Sequence, residues 1–193
     1  MSRLMHLLSV FALVVFAGVL PVRADTNSID PRDVAERFLD AFYAWDSEAL
    51  DAMLFHNAEG DDVLYYQGWA KGANYHVVSR PPCDVLESAN SLAQVTCAVT
   101  VTDDFGRALG YRATDTFRLT IANEQVLAAS FAGDDPPIFA EMFGWIQQQR
   151  PDVLSGPCHL MFAGGPTPSA CAEAVARAAK DYMREQVSPE NKE

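Results

Sequence analysis

The most constraining stretch of this chain is Ala93 to Ile121, where apolar and polar residues alternate along two arms. Ala93, Val95, Cys97, Val99 and Val101 share one parity in the first arm; Tyr111, Ala113, Phe117, Leu119 and Ile121 share it in the second. Period-two alternation predicts half-buried antiparallel strands with one face to the core. A three-residue turn at Asp104-Phe105-Gly106, pairing Asp103 with Arg107, would put both apolar rows on one face. Asp115 stands in phase with that face between Ala113 and Phe117, where an unpaired carboxylate is costly to bury. It is read either as a structural acid satisfied by a core tyrosine, a backbone N–H or Arg112, or as a pocket acid.

The N-terminus reads as a secretory leader: Arg3, then an apolar run from Leu7 to Leu20, then Val22-Arg23-Ala24 as a small-residue cleavage site. The run is shorter than the roughly 20 residues a membrane span needs. Cleavage after Ala24 is therefore expected, giving a secreted or periplasmic protein with no stable membrane insertion. The formal charge of −12 becomes −14, because Arg3 and Arg23 leave with the leader and no acid does. So acidic a protein is a poor partner for nucleic acid.

All four cysteines lie in the expected mature chain, an even count that favours two disulfides in an exported protein. A hairpin pairing Cys83–Glu87 with Ala93–Val101 around Ala89-Asn90-Ser91 places Cys83 opposite Cys97, near enough to bridge. Cys158 and Cys171 then form the second pair. His56, His76 and His159 are scattered, without metal-site spacing, so no metal or other cofactor is expected.

Along the chain, Asp30-Pro31 opens a helix running to about Trp45, and Asp46 or Ser47 caps a second through Leu54. An acidic turn, Glu59 to Asp62, leads to Val63-Leu64-Tyr65-Tyr66, read with the residues from Phe55 as a short strand pair. Trp69 to Arg80 is read as a helix carrying His76 and ended by Pro81-Pro82. After the second long arm, a turn near Asn123-Glu124 leads into the strand Gln125–Ala132, giving four consecutive antiparallel strands. Asp134-Asp135-Pro136-Pro137 caps a helix with Ile138, Phe139, Met142, Phe143 and Ile146 as its stripe. Residues 153–166 are read as loop, and Thr167-Pro168 starts a last helix with Val175, Ala179, Tyr182 and Met183 inward. The expected organisation is a leader (1–24), an α+β domain (25–135), a C-terminal helical extension on the same core (136–187) and a disordered tail (188–193).

From Asp33 to Gly133 the chain resembles the nuclear transport factor 2-like superfamily, which includes ketosteroid isomerases and polyketide cyclases. The resemblance is carried by residues 35–42 (AERFLDAF), 49–54 (ALDAML) and 115–119 (DTFRL). It implies a cone-shaped α+β fold, with a strongly bent antiparallel sheet and N-terminal helices on its concave face. It also places Asp115 where the isomerases keep an oxyanion-binding acid, puts Phe38 where they keep a first-helix tyrosine, and puts the general base near Asp61 or Asp62.

The candidate catalytic residues are thus Asp115, Asp62 and His76. The expected ligand wall is Tyr65, Tyr66, Trp69, Tyr75, Tyr111, Phe38 and Phe117. The leading functional expectation is binding of a small apolar or amphipathic molecule in the cone. A proton-transfer isomerase, lyase or cyclase, and an envelope protein-interaction subunit, are the alternatives. A large cavity holding Asp115 and a second acid or histidine favours chemistry; one filled by side chains favours interaction. The polar outward sheet face, with Thr96, Thr100, Arg112, Thr114, Thr116 and Arg118, suggests a homodimer.

Overall fold

The structure is a computed structural model. It describes residues 29–59, 61–89, 92–161 and 169–187, with only the backbone described at 56–59, 61–62, 88–89 and 187. The leader and its cleavage site, and the C-terminal tail, lie outside the described residues.

Helix α1 (Pro31–Tyr43) begins as its sequence dictates: the Asp30 side chain accepts from Arg32 N at 2.9 Å and Pro31 occupies the first turn. It buries Val34, Ala35, Phe38, Leu39, Ala41 and Phe42. Asp46 caps α2 (Ser47–Met53) by accepting from Ala49 N at 2.9 Å. Strand β1 (Leu54–Glu59) then joins the last strand, β6 (Gln125–Gly133), in parallel, with Leu54 beside Val126. Among the described residues, no local strand pair forms around the acidic turn. Val63 to Tyr66 instead belongs to helix α3 (Asp61–Gly72), and the following strand β2 (His76–Ser79) replaces the second half of the helix expected over Trp69–Arg80. The physical reason is that α3 is packed on two sides. Val63 and Ala70 enter one apolar cluster and Trp69 enters another, so its sequence shows no single apolar stripe. Val77 and Val78, β-branched, favour the strand.

With β4 (Leu92–Thr102) and β5 (Ala113–Ala122), the sheet runs β1-β6-β5-β4-β2, and β3 (Asp84–Ala89) pairs with a different stretch of β4 from β2. Pro81 and Pro82 fall between β2 and β3; lacking an N–H, they cannot extend a ladder. Strands β3, β4, β5 (Ala113–Ala122) and β6 (Gln125–Gly133) are consecutive and antiparallel, as the alternation predicts. Asn123 and Glu124, at φ 48° and 64°, make the tight turn between the last two.

The connection from β4 to β5 is longer than a three-residue turn. Residues 104–109 form helix α4 (Asp104–Leu109), capped by Asp103 accepting from Gly106 N and ended by Gly110 at φ 79°. Asp103 therefore does not pair with Arg107; Val101 pairs with Ala113. The insertion adds an even number of residues, so the inward parity survives and Asp115 still points into the cone.

After the sheet come α5 (Pro137–Gln149), α6 (Pro151–Ser155) within the stretch read as loop, and α7 (Ser169–Val187). Neither aspartate before α5 caps it: Asp134 accepts from Thr114 N and Asp135 from Tyr111 OH. The buried residues form two clusters where one core was expected. One lies between α1 and the sheet, the other among α4, α5, α6 and α7 with Trp69 and Ala73 of the α3 end. Cys83–Cys97 and Cys158–Cys171 are both disulfides, and the second ties the segment after α6 to α7. Among the described residues no helix is long and apolar enough to cross a membrane.

Candidate functional site

Where the two clusters meet, the sheet and α3 on one side and α5 on the other enclose a cavity of about 650 Å³. Its floor is Asp115, only 1% exposed, on β5 opposite Gly133 of β6. The last residue of α1 reaches this floor. Tyr43 OH donates to Asp115 Oδ2 at 2.6 Å, a short charge-assisted bond.

Burial dominates the electrostatics of this floor. Desolvation, with the nearby charges of Asp135, Asp103 and Asp134, pushes Asp115 up to about 7 against the opposing pull of the Tyr43 hydrogen bond. Asp103 is pushed up to about 6, chiefly by burial, while its bond from Gly106 N pulls down. Burial also raises Asp135 at the mouth of the cavity, opposed by its 3.3 Å bond from Tyr111 OH. The same desolvation, with Asp115 close by, keeps the phenols of Tyr43 and Tyr75 neutral. Near neutral pH, Asp115 is thus divided between a hydrogen-bond donor and a proton acceptor.

The wall above it is aromatic. Tyr66 stacks on Phe131 at 4.3 Å, Tyr65 meets Tyr66 edge to face at 5.3 Å, and Phe139 meets Phe143 edge to face at 5.0 Å. Trp69 and Tyr75 complete it with Met161. Gly133 leaves room at the floor: a Cβ there would lie 3.4 Å from Asp135 Oδ2 and 3.9 Å from Asp115 Oδ1.

Of the expected ligand wall, Tyr65, Tyr66, Trp69 and Tyr75 line this cavity. Phe38 and Phe117 do not; both are wholly buried in the cluster beneath the sheet, Phe117 packed edge to face on Phe42. Tyr111 acts one step back, through Asp135. Of the candidate catalytic residues whose side chains are described, Asp115 lies in the cavity and His76 does not. His76 is exposed on strand β2, with no mouth helix to carry it inward. Asp62 falls in the first turn of α3, and its side chain lies outside the described residues. Sequence reasoning missed Tyr43 and Asp135. Tyr43 ends an amphipathic helix, and its one signal was its place one turn after the buried Leu39. Asp135 was taken for a helix cap. Among the described residues no three His, Cys, Asp or Glu side chains converge as metal ligands.

Fold and site together define an α+β fold with a curved mixed sheet and an aromatic cavity floored by a buried acid. Among solved structures, the chain is similar to a candidate polyketide cyclase from Sinorhizobium meliloti, at 18% identity and TM-score 0.40 over 52% of this chain and 94% of that one. It is also similar to an NTF2-like protein of unknown function from Cytophaga hutchinsonii, at 15% identity and TM-score 0.39 over 59% and 98%. A protein of unknown function with a cystatin-like fold from Xanthomonas campestris matches at 9% identity and TM-score 0.39 over 55% and 92%. No family model and no curated protein sequence matches the chain. At such identities and scores, similarity says nothing about what this chain binds.

Proposed function

We propose that the protein binds a small, largely apolar molecule in the cone, with the neutral form of Asp115 donating a hydrogen bond to a carbonyl or enol oxygen. One observation carries this reading: an aromatic cavity of about 650 Å³ converges on a carboxyl that is 1% exposed. The cavity is open space rather than packed side chains, which speaks against a purely interaction-based role. Native mass spectrometry of the exported protein from its own host tests the proposal. A bound small molecule lost on Asp115→Leu, in a variant that still folds, supports it; equal occupancy in that variant contradicts it.

A second reading, proton-transfer catalysis, is favoured by one further observation: Asp135 lines the same cavity. Two acids held at raised values on one ligand could act as donor and acceptor. Turnover of the captured molecule that follows a pH profile and is lost in Asp135→Asn would support it.

Export rests on the leader and the disulfides, and an intact mass beginning at Asp25 is its test. The homodimer rests on the outward sheet face, where Arg118 is exposed and Thr96, Thr114 and Thr116 are half-buried. Sedimentation at micromolar concentration distinguishes it from a monomer.

A further inference from the structure

The two acids of the large cavity are built alike. Asp115 Oδ2 accepts from Tyr43 OH at 2.6 Å and Asp135 Oδ1 accepts from Tyr111 OH at 3.3 Å, and neither tyrosine belongs to the cavity lining. The other oxygens converge on one point. A Cβ on Gly133 would lie 3.4 Å from Asp135 Oδ2 and 3.9 Å from Asp115 Oδ1. A ligand atom over Gly133 therefore meets both carboxyl groups, and the missing side chain leaves it room.

Nothing in the lining balances their charge. Among the described residues, seven of the side chains around the cavity are aromatic and none is Lys, Arg or His. Residues 162–168, which follow Met161 in the sequence, carry no charge either. The charges that act most on Asp115 are those of Asp135, Asp103 and Asp134, all acids. Burial strengthens such a field, and the cost of holding two carboxylates there falls when an opposite charge enters.

The wall suits a cation too. Phe131 lies two residues before Gly133 on β6, on the same face and about 7 Å along the strand. Tyr66 stacks on it at 4.3 Å, and Phe139 and Phe143 face the same space from α5. The faces of these rings carry the negative part of the aromatic quadrupole and attract an ammonium within about 6 Å of the ring centre.

We propose that the ligand of the cavity is an organic cation: an apolar body ending in a quaternary or protonated tertiary ammonium, its head over Gly133 beside Asp135 and against the rings of Phe131 and Tyr66. This rests on the reading of the cavity as a binding site floored by Asp115, and adds the charge of the molecule it takes. A carbonyl close to the head group keeps the Asp115 contact of that reading.

Titration calorimetry on the disulfide-bonded chain tests it with two molecules of nearly one shape: benzoylcholine, and 3,3-dimethylbutyl benzoate, in which carbon replaces the charged nitrogen. The expected result is one benzoylcholine bound per chain, about tenfold or more tighter than the neutral ester, although the ester is the more apolar. Asp135→Asn removes the charge but keeps an acceptor for Tyr111 OH. It should weaken benzoylcholine by roughly fivefold and leave the ester within about twofold of its wild-type affinity. Gly133→Ala, which fills the space over the floor, should weaken both. Ester binding that falls in Gly133→Ala, with benzoylcholine no tighter than the ester, would overturn the cation and leave the cavity reading standing. Binding of both molecules unmoved by Gly133→Ala would place them elsewhere and overturn both readings. A preference for benzoylcholine unchanged in Asp135→Asn, or no saturable benzoylcholine binding up to on the order of 10 mM, would also overturn the proposal.

Discussion

The phenol of Tyr43, the last residue of α1, donates to the carboxyl of Asp115 on β5 across 72 positions of chain at 2.6 Å. This bond favours the ionised carboxylate, and burial opposes it; burial wins, leaving Asp115 at about 7. Tyr43→Phe removes only the stabilising partner. Asp115 should then titrate above its wild-type value, and the variant should lose about 1.5–3 kcal/mol at pH 8, where the bond is to a charged group. NMR titration and urea melts at pH 5 and pH 8 check both, with the smaller loss expected at pH 5.

Stability should fall as pH rises toward neutrality. Asp115 and Asp103 hold their protons to about 7 and about 6 in the folded chain, whereas ordinary carboxylates release theirs near 4. Between those values the folded state binds more protons than the unfolded one, so unfolding becomes easier as pH rises. The contribution is full below about pH 4 and gone above about pH 7, with Asp115 accounting for up to about 4 kcal/mol. Urea melts of wild type and Asp115→Asn at pH 4, 6 and 8 should show the gap between them shrinking with pH.

Gly133→Ala should fold, because the added methyl meets Asp135 Oδ2 at 3.4 Å and Asp115 Oδ1 at 3.9 Å, ordinary contact distances. It fills the space above the floor where a ligand oxygen would reach Asp115. Ligand affinity should drop on the order of tenfold with a stability change under about 1 kcal/mol. Thermal melts and ligand occupancy, measured on the same preparation, separate the two effects.

Gly72→Ala should behave oppositely. Its methyl would run into the Ser169 backbone, which cannot rotate away as a side chain can, so α3 and α7 must part. A loss of about 1–3 kcal/mol is expected in urea melts.

The sheet was legible because its physics is local: alternation over ten residues fixes which way Asp115 points, and a helical insertion of even length leaves that phase intact. The Cys83–Cys97 bridge was legible for the same reason, since hairpin register alone brings the pair together. Helix α3 was not. A helix packed between two clusters hides its period, and Val63 to Tyr66, apolar throughout, reads equally well as strand. Asp135 was obscured by its position: an acid before two prolines looks like a cap, and only the fold shows Tyr111 beside it. Five of the thirteen residues that line the cavity, Tyr65, Tyr66, Trp69, Tyr75 and Asp115, were therefore named in advance, while the α5 side, Phe139 and Phe143, and the Tyr43 bond to Asp115 needed the tertiary structure.

The most direct test of the central claim is the titration of the Asp115 carboxyl itself, followed by carbon-13 NMR on the disulfide-bonded chain with Asp115→Asn to assign the signal. A midpoint near 7, moving upward in Tyr43→Phe, is the result this account predicts. A midpoint near 4, as for an exposed carboxylate, would contradict it.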